Sequence, residues 1–97
     1  MRLISQSGLE ESVNVPYDRV AIKMQKTLIT TDGSYEYRII ADDTGGVYMH
    51  TLGRYSNREE AEYVFARIYE ALYEAERDRR PGVFFMDDPY GSLRDAT

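Results

Sequence analysis

Residues 20–55 read VAIKMQKTLITTDGSYEYRIIADDTGGVYMHTLGRY, and this stretch decides the fold. Val20, Ile22, Met24 and Leu28 recur with the period of two that a half-buried strand requires, and the next residues, Asp32-Gly33, form the dipeptide most typical of a tight hairpin. A second strand, YEYRIIAD, follows. DDTGG supplies another turn, and VYMHTLGRY alternates again, so the segment predicts an antiparallel meander of three strands. A two-residue loop at Asp32-Gly33 predicts Leu28 opposite Tyr37 and Met24 opposite Ala41. A tight turn at Thr44-Gly45 predicts Tyr37 opposite Leu52 and Ala41 opposite Tyr48. One face then carries Val20, Ile22, Met24, Leu28, Tyr37, Ile39, Ala41, Tyr48 and Leu52 as the core side. The other is polar around an apolar patch of Ile29, Ile40, Val47 and Met49, rimmed by Lys23, Glu36 and Arg38.

Downstream, residues 55–82 read YSNREEAEYVFARIYEALYEAERDRRPG. Ser56 with Glu59 three residues on fits a capping box, Glu59 and Glu60 suit the positive end of a helix dipole, and Pro81-Gly82 stops the helix. At 100° per residue Ala61, Val64, Phe65, Ile68, Leu72 and Ala75 form one stripe, which predicts docking on the core face of the sheet. Upstream, RLIS is a short strand expected beside the meander, and Pro16 holds Asn14 and Val15 extended. After the helix, Val83 to Met86 are too few and too uniformly apolar for a second helix. They are expected to run extended, with Val83 and Phe85 on one side and Phe84 and Met86 on the other. The expected fold class is α+β: an antiparallel meander of three to four strands packed on one face by a single long C-terminal helix, followed by a short extended aromatic tail. It forms one domain over residues 1–97, with 1–55 mainly β, 56–80 helix and 81–97 tail.

The chain carries a net charge of −5 and no cysteine. Without cysteine there is no disulfide framework, thiolate metal site or thiol nucleophile. The acidic balance disfavours binding to a phosphate backbone, which relies on clustered Lys and Arg. No apolar run approaches the roughly 20 residues that span a bilayer, and the N-terminus lacks the apolar stretch of a signal peptide, so a cytoplasmic setting and no membrane partner are expected.

Chemistry-bearing motifs are sparse. His50, the single histidine, falls on the core side of the last meander strand with no nucleophile motif and no orienting carboxylate near it in sequence. Asp42-Asp43 suit a glycine turn, Asp87-Asp88 lack the spacing of a calcium loop, and DDTGG lacks the lysine and helix of a phosphate loop. No catalytic residue, metal or cofactor is expected. Tyr63 lies on the polar face of the helix, where it either packs on its helical neighbours or touches a partner. The patch of Ile29, Ile40, Val47 and Met49 is expected either to pair with a second copy, as a homodimer or higher homo-oligomer, or to be covered by the chain's own LEESV segment or tail. Phe84 and Met86 stand between the same alternatives, docking within the chain or at an interface.

The opening MRLISQSG, the VNVPYD of residues 13–18, the LGRYSNREEAEYVF of residues 52–65 and the tail VFFMDDP together resemble a group of small proteins encoded by phages and mobile elements of Gram-positive (Firmicutes) gut bacteria. The chain is longer than typical members through TTDGSYEYRIIADDTGGVY. The resemblance implies work by occupancy in a host cell, as a counter-defence factor that sequesters a nucleotide second messenger or masks a host defence protein. An interaction or assembly module of the element is the alternative. A sequestering pocket needs cations beside an aromatic ring, which directs attention to Lys23, Arg38, Arg54 and Tyr55.

Overall fold

The computed structural model describes residues 1–29, 31–43, 49–79, 82–87 and 92–95, the last four by their backbone alone. Their order is β1 (Arg2–Ile4), β2 (Asn14–Pro16), a 3-10 turn at Tyr17–Arg19, β3 (Val20–Leu28), β4 (Tyr35–Asp43), β5 (Met49–Tyr55), α1 (Arg58–Arg77), β6 (Gly82–Phe85) and β7 (Ser92–Asp95). The α+β class and the antiparallel meander β3-β4-β5 stand as expected. The N-terminal strand does not join that meander. It lies in a second sheet, ordered β2-β1-β6-β7, where β1 runs antiparallel to β2 and parallel to β6. Leu3 sits opposite Phe84 in that parallel pair, and both are fully buried. An apolar run such as Val83-Phe84-Phe85 suits a parallel strand enclosed by its neighbours.

The tail therefore runs extended, and its alternation is as expected: Phe84 and Met86 are buried while Val83 and Phe85 are half-buried. Phe84 and Met86 join Leu3, Ile39, Leu52, Val64 and Ile68 in a single core. Their burial within the chain withdraws both from the candidate interface.

The faces of the meander keep their expected parity, but the registers move. Leu28 pairs with Tyr35 and Met24 with Ile39, two residues from the expected partners. The hairpin closes between Ile29 and Ser34: the Ile29 N–H donates to Ser34 O, and the Gly33 N–H, at φ 75°, donates to Ile29 O. Asp32 Oδ1 accepts the Ser34 N–H, so the Asp-Gly pair belongs to a longer loop. A shift of two residues preserves each side chain's face, where a shift of one would invert them all. On the other side Ala41 pairs with His50 and Ile40 with Thr51, yet Ile39 pairs with Gly53 and Tyr37 with Tyr55, so a bulge falls at Leu52. The expected turn at Thr44-Gly45, with Val47 and Tyr48, lies outside the described residues.

The helix begins one residue later than expected. Asn57, not Ser56, is the N-cap, its Oδ1 accepting the N–H groups of Glu59 at 2.7 Å and Glu60 at 3.3 Å. Asn caps as well as Ser does, and extended backbone at Asn57 puts its amide within reach. At the other end Asp78 is the C-cap and Arg79 takes φ 52°, ending the helix before Pro81. The buried stripe is Ala61, Val64, Ile68 and Ala71, with Phe65, Leu72 and Ala75 only half-buried. It is rotated from the expected one because α1 lies against β3, β4 and β5 of the meander and also against β6 and β7. Tyr69, on the far flank, is exposed.

Candidate functional site

The bulge decides which side chains meet on the outer face of the meander. Strict alternation along β5 from His50 would put Leu52 and Arg54 on the core side. The extra residue at Leu52 keeps that leucine buried and then reverses the pattern, sending Tyr55 inward and Arg54 outward. Arg54 thereby stands directly opposite Arg38 on β4. The exit of β1 holds this irregularity in place: the Gln6 N–H donates to Leu52 O at 2.8 Å, and Gln6 Oε1 accepts the Arg54 N–H at 2.8 Å.

Two guanidinium groups side by side repel unless an anion lies between them. Glu36 is that anion, with Oε2 2.9 Å from Arg38 Nε and Oε1 3.6 Å from Arg54 Nε. All three groups are partly withdrawn from water, Glu36 the most. Above them passes the loop after β1, whose base is pinned by Ser5: its N–H donates to Val13 O and its Oγ accepts the Val13 N–H. Leu9, Glu10 and Glu11 from this loop, with Arg38, Met49, Thr51 and Arg54 from the sheet, enclose a pocket of about 220 Å³. The Thr51 side chain lies on its wall beside the two arginines.

Of the four ligand residues expected from sequence, Arg38 and Arg54 are brought together here. Lys23 shares the outer face opposite Ile40 but does not line the pocket; its Nζ is 2.7 Å from Asp42 Oδ2. Tyr55 is on the other face, packed against the core with its ring over Gly53. Its hydroxyl is buried with no hydrogen-bond partner among the described residues. Burial, with the Glu60 charge adding to it, pushes the phenol up to about 12. Tyr55 is thus withdrawn from the ligand set.

The apolar outer patch is also altered. Ile40 is only 5% exposed, Ile29 is half-buried, and Met49 at 59% remains open. The Leu9–Glu11 loop, part of the chain's own LEESV segment, shares a pocket with Arg38, Met49 and Thr51 on this face, while Val47, the remaining residue of the patch, lies outside the described residues. Tyr63 is exposed on the helix.

The sequence places Glu36 on this face as a rim residue beside Arg38, but gives no sign that Glu11 and Gln6 belong to the site. Glu11 Oε1 lies 2.8 Å from His50 Nδ1, so the histidine does have a carboxylate beside it, from a segment 39 residues away. Gly53 inside an alternating strand was the signal for the bulge, since a glycine there marks a bulge or a close approach. A second, more open groove of about 420 Å³ lies between Met1, Pro16 and Tyr17 and the helix residues Leu72 and Ala75. Tyr17 meets Tyr69 edge to face beside it, with ring centroids 6.5 Å apart, and burial with the Tyr69 contact raises the Tyr17 phenol above its ordinary value. Among the described residues no three His, Asp or Glu side chains converge as metal ligands, and no helix is long and apolar enough to cross a membrane. No family model matches the sequence, and neither a curated protein nor a solved structure matches it.

Proposed function

We propose that the chain is a non-catalytic binding protein that takes up a phosphate-bearing small molecule at the Arg38–Arg54 pocket, in the manner of a counter-defence factor sequestering a nucleotide signal. The observation that carries this reading is the cross-strand arginine pair sharing the single carboxylate of Glu36. The two guanidinium groups converge at a polar pocket that Glu10 and Glu11 also line, so a bound phosphoryl group takes the place of carboxylate oxygens beside them, and planar guanidinium groups suit its paired oxygens. A pocket near 220 Å³ is smaller than the sites that enclose whole drug-sized ligands, so it holds a phosphoryl group and leaves the remainder of the nucleotide outside. The counter-defence setting rests on the resemblance of the MRLISQSG and LGRYSNREEAEYVF segments.

Calorimetric titration with inorganic phosphate, AMP and cyclic mono- and dinucleotides tests the reading. Heat with a phosphorylated ligand, reduced roughly 10- to 100-fold in affinity by Arg54→Ala, supports it, since a charge-assisted hydrogen bond contributes about 1.5–3 kcal/mol. No heat with any of them rejects it. A second reading, a protein-masking or assembly module, draws on Tyr63, Tyr69 and Tyr73, three exposed tyrosines on one helix. Tyrosine supplies large, rigid contact area at protein interfaces. Capture of a host protein that is lost with Tyr69→Ala and retained with Arg54→Ala would select that reading over the first.

A further inference from the structure

A sheet ends on edge strands whose outward N–H and C=O groups lack ladder partners, and proteins blunt such edges with short strands, proline, bulges or a covering segment. Three of the four edges here carry one of these devices. β2 is three residues long and ends on Pro16, and β7 is four residues long. β5 has the bulge and is covered by Gln6. Among the described residues β3 has none of them. It pairs with β4 through nine successive residues without a bulge and contains no proline. Among the described residues no backbone bond reaches it from outside the meander beyond the Val20 N–H to Tyr17 O contact at its start. Its two lysines do not guard it either. Lys23 reaches back across the sheet to Asp42, and Lys26 Nζ lies 4.0 Å from the centroid of the Tyr35 ring, both partners being on β4.

We infer that β3 pairs antiparallel with β3 of a second copy, joining two meanders into one six-stranded sheet about a two-fold axis at Met24. The register follows from the ladder itself. Opposite residues in an antiparallel pair present their backbone groups in the same sense, so for a strand paired with itself the axis passes through a residue and not between two. An axis at Lys23 or Lys26 sets like charges directly opposite, which is unfavourable. Axes at Ile22 or Gln25 leave one end of the strand unpaired. Met24 alone engages all nine residues, with Val20 opposite Leu28, Ala21 opposite Thr27, Ile22 opposite Lys26 and Lys23 opposite Gln25. Leu28, a large apolar side chain 50% exposed at the strand end, then gains the partner's Val20 as a cross-strand neighbour. This inference stands apart from the arginine pocket, which lies toward the other edge of the meander.

The chain has no cysteine, so single substitutions give unambiguous crosslinks. Met24→Cys places two thiols across the axis, where opposed Cα atoms about 4.5–5.5 Å apart are within disulfide reach. Thr27→Cys places them about 20 Å apart, given the rise of about 3.3 Å per residue. The expected result is a native chain that sediments as a dimer at micromolar concentration, and a covalent dimer under mild oxidation for Met24→Cys but not for Thr27→Cys. Gln25 is exposed, so its variants leave the fold intact. Gln25→Glu, facing the partner's Lys23 twice, should tighten the dimer several-fold, and Gln25→Lys should loosen it roughly tenfold. A monomer at all concentrations, equal crosslinking of both thiol variants, or a dimer indifferent to both Gln25 variants overturns the proposal; the first outcome includes a chain whose edge accepts another protein's strand.

Discussion

The two ladders that share β4 differ by a single residue, and that residue separates their roles. Between β3 and β4 every position pairs in turn, so the pleat carries through unbroken and leaves a long regular edge. Between β4 and β5 the bulge at Leu52 lets two residues oppose one, and the strand beyond it presents its opposite face. The regular ladder builds a surface that another strand can continue. The bulged one builds a pocket, because it carries Arg54 to Arg38 and turns Tyr55 inward.

The largest change should come from Leu52→Ala, which empties a fully buried position at the bulge itself. A loss of about 2–5 kcal/mol is expected, read as a lower urea midpoint. If the loss is below about 0.5 kcal/mol, typical of an exposed site, Leu52 is not in the core and the bulge is misplaced. Gly53→Ala should cost less, about 1–3 kcal/mol, because a Cβ there would meet Tyr55 Oη at 2.7 Å and the ring carbons at 2.9 and 3.0 Å. Gln25→Ala in the regular ladder is the matching control. It should change monomer stability by no more than about 0.5 kcal/mol, and equal costs at the two positions would erase the contrast between the ladders.

Tyr55→Phe gives a small effect of the opposite sign. Deleting a buried hydroxyl that lacks a partner among the described residues should raise stability at pH 7 by up to about 1 kcal/mol. The same group predicts an alkaline dependence. Its folded pKa, pushed up to about 12, lies above the ordinary value of 10.0, so the folded chain keeps a proton that the unfolded chain releases. The stabilisation is fully present below pH 10 and is lost as pH rises toward 12. The slope is at most about 1.4 kcal/mol per pH unit, and less because the ring is partly solvated. Urea unfolding at pH 7, 10 and 11 should show this decline in the native chain and a shallower one in Tyr55→Phe; parallel declines would mean that Tyr55 is not the group responsible.

Local order is legible in the sequence where the signal spans a few residues. The capping sequence gives the helix its start to within one residue, since Ser56 and Asn57 are both competent caps and only backbone geometry chooses between them. The alternation of Val83, Phe84, Phe85 and Met86 was legible, but not which side would be buried, because that depends on Leu3, 81 residues away in sequence. At the candidate site Arg38 and Arg54 were legible as cations, whereas their meeting was not: a two-residue slip leaves faces unchanged, while the single extra residue at Leu52 inverts one.

The sequence by itself determined an antiparallel meander with one core face, a capped amphipathic helix and an extended apolar tail, because pleat, helical turn and cap all act within a few residues of the chain. Only the tertiary structure decided that β1 leaves the meander to pair with β6, that Glu11 reaches His50, and that Gln6 holds the bulge which sets Arg54 opposite Arg38. Each of these is a choice among partners distant in the chain, and such a choice is made by which burial and hydrogen bonding can be satisfied together, a condition that no local pattern of residues records.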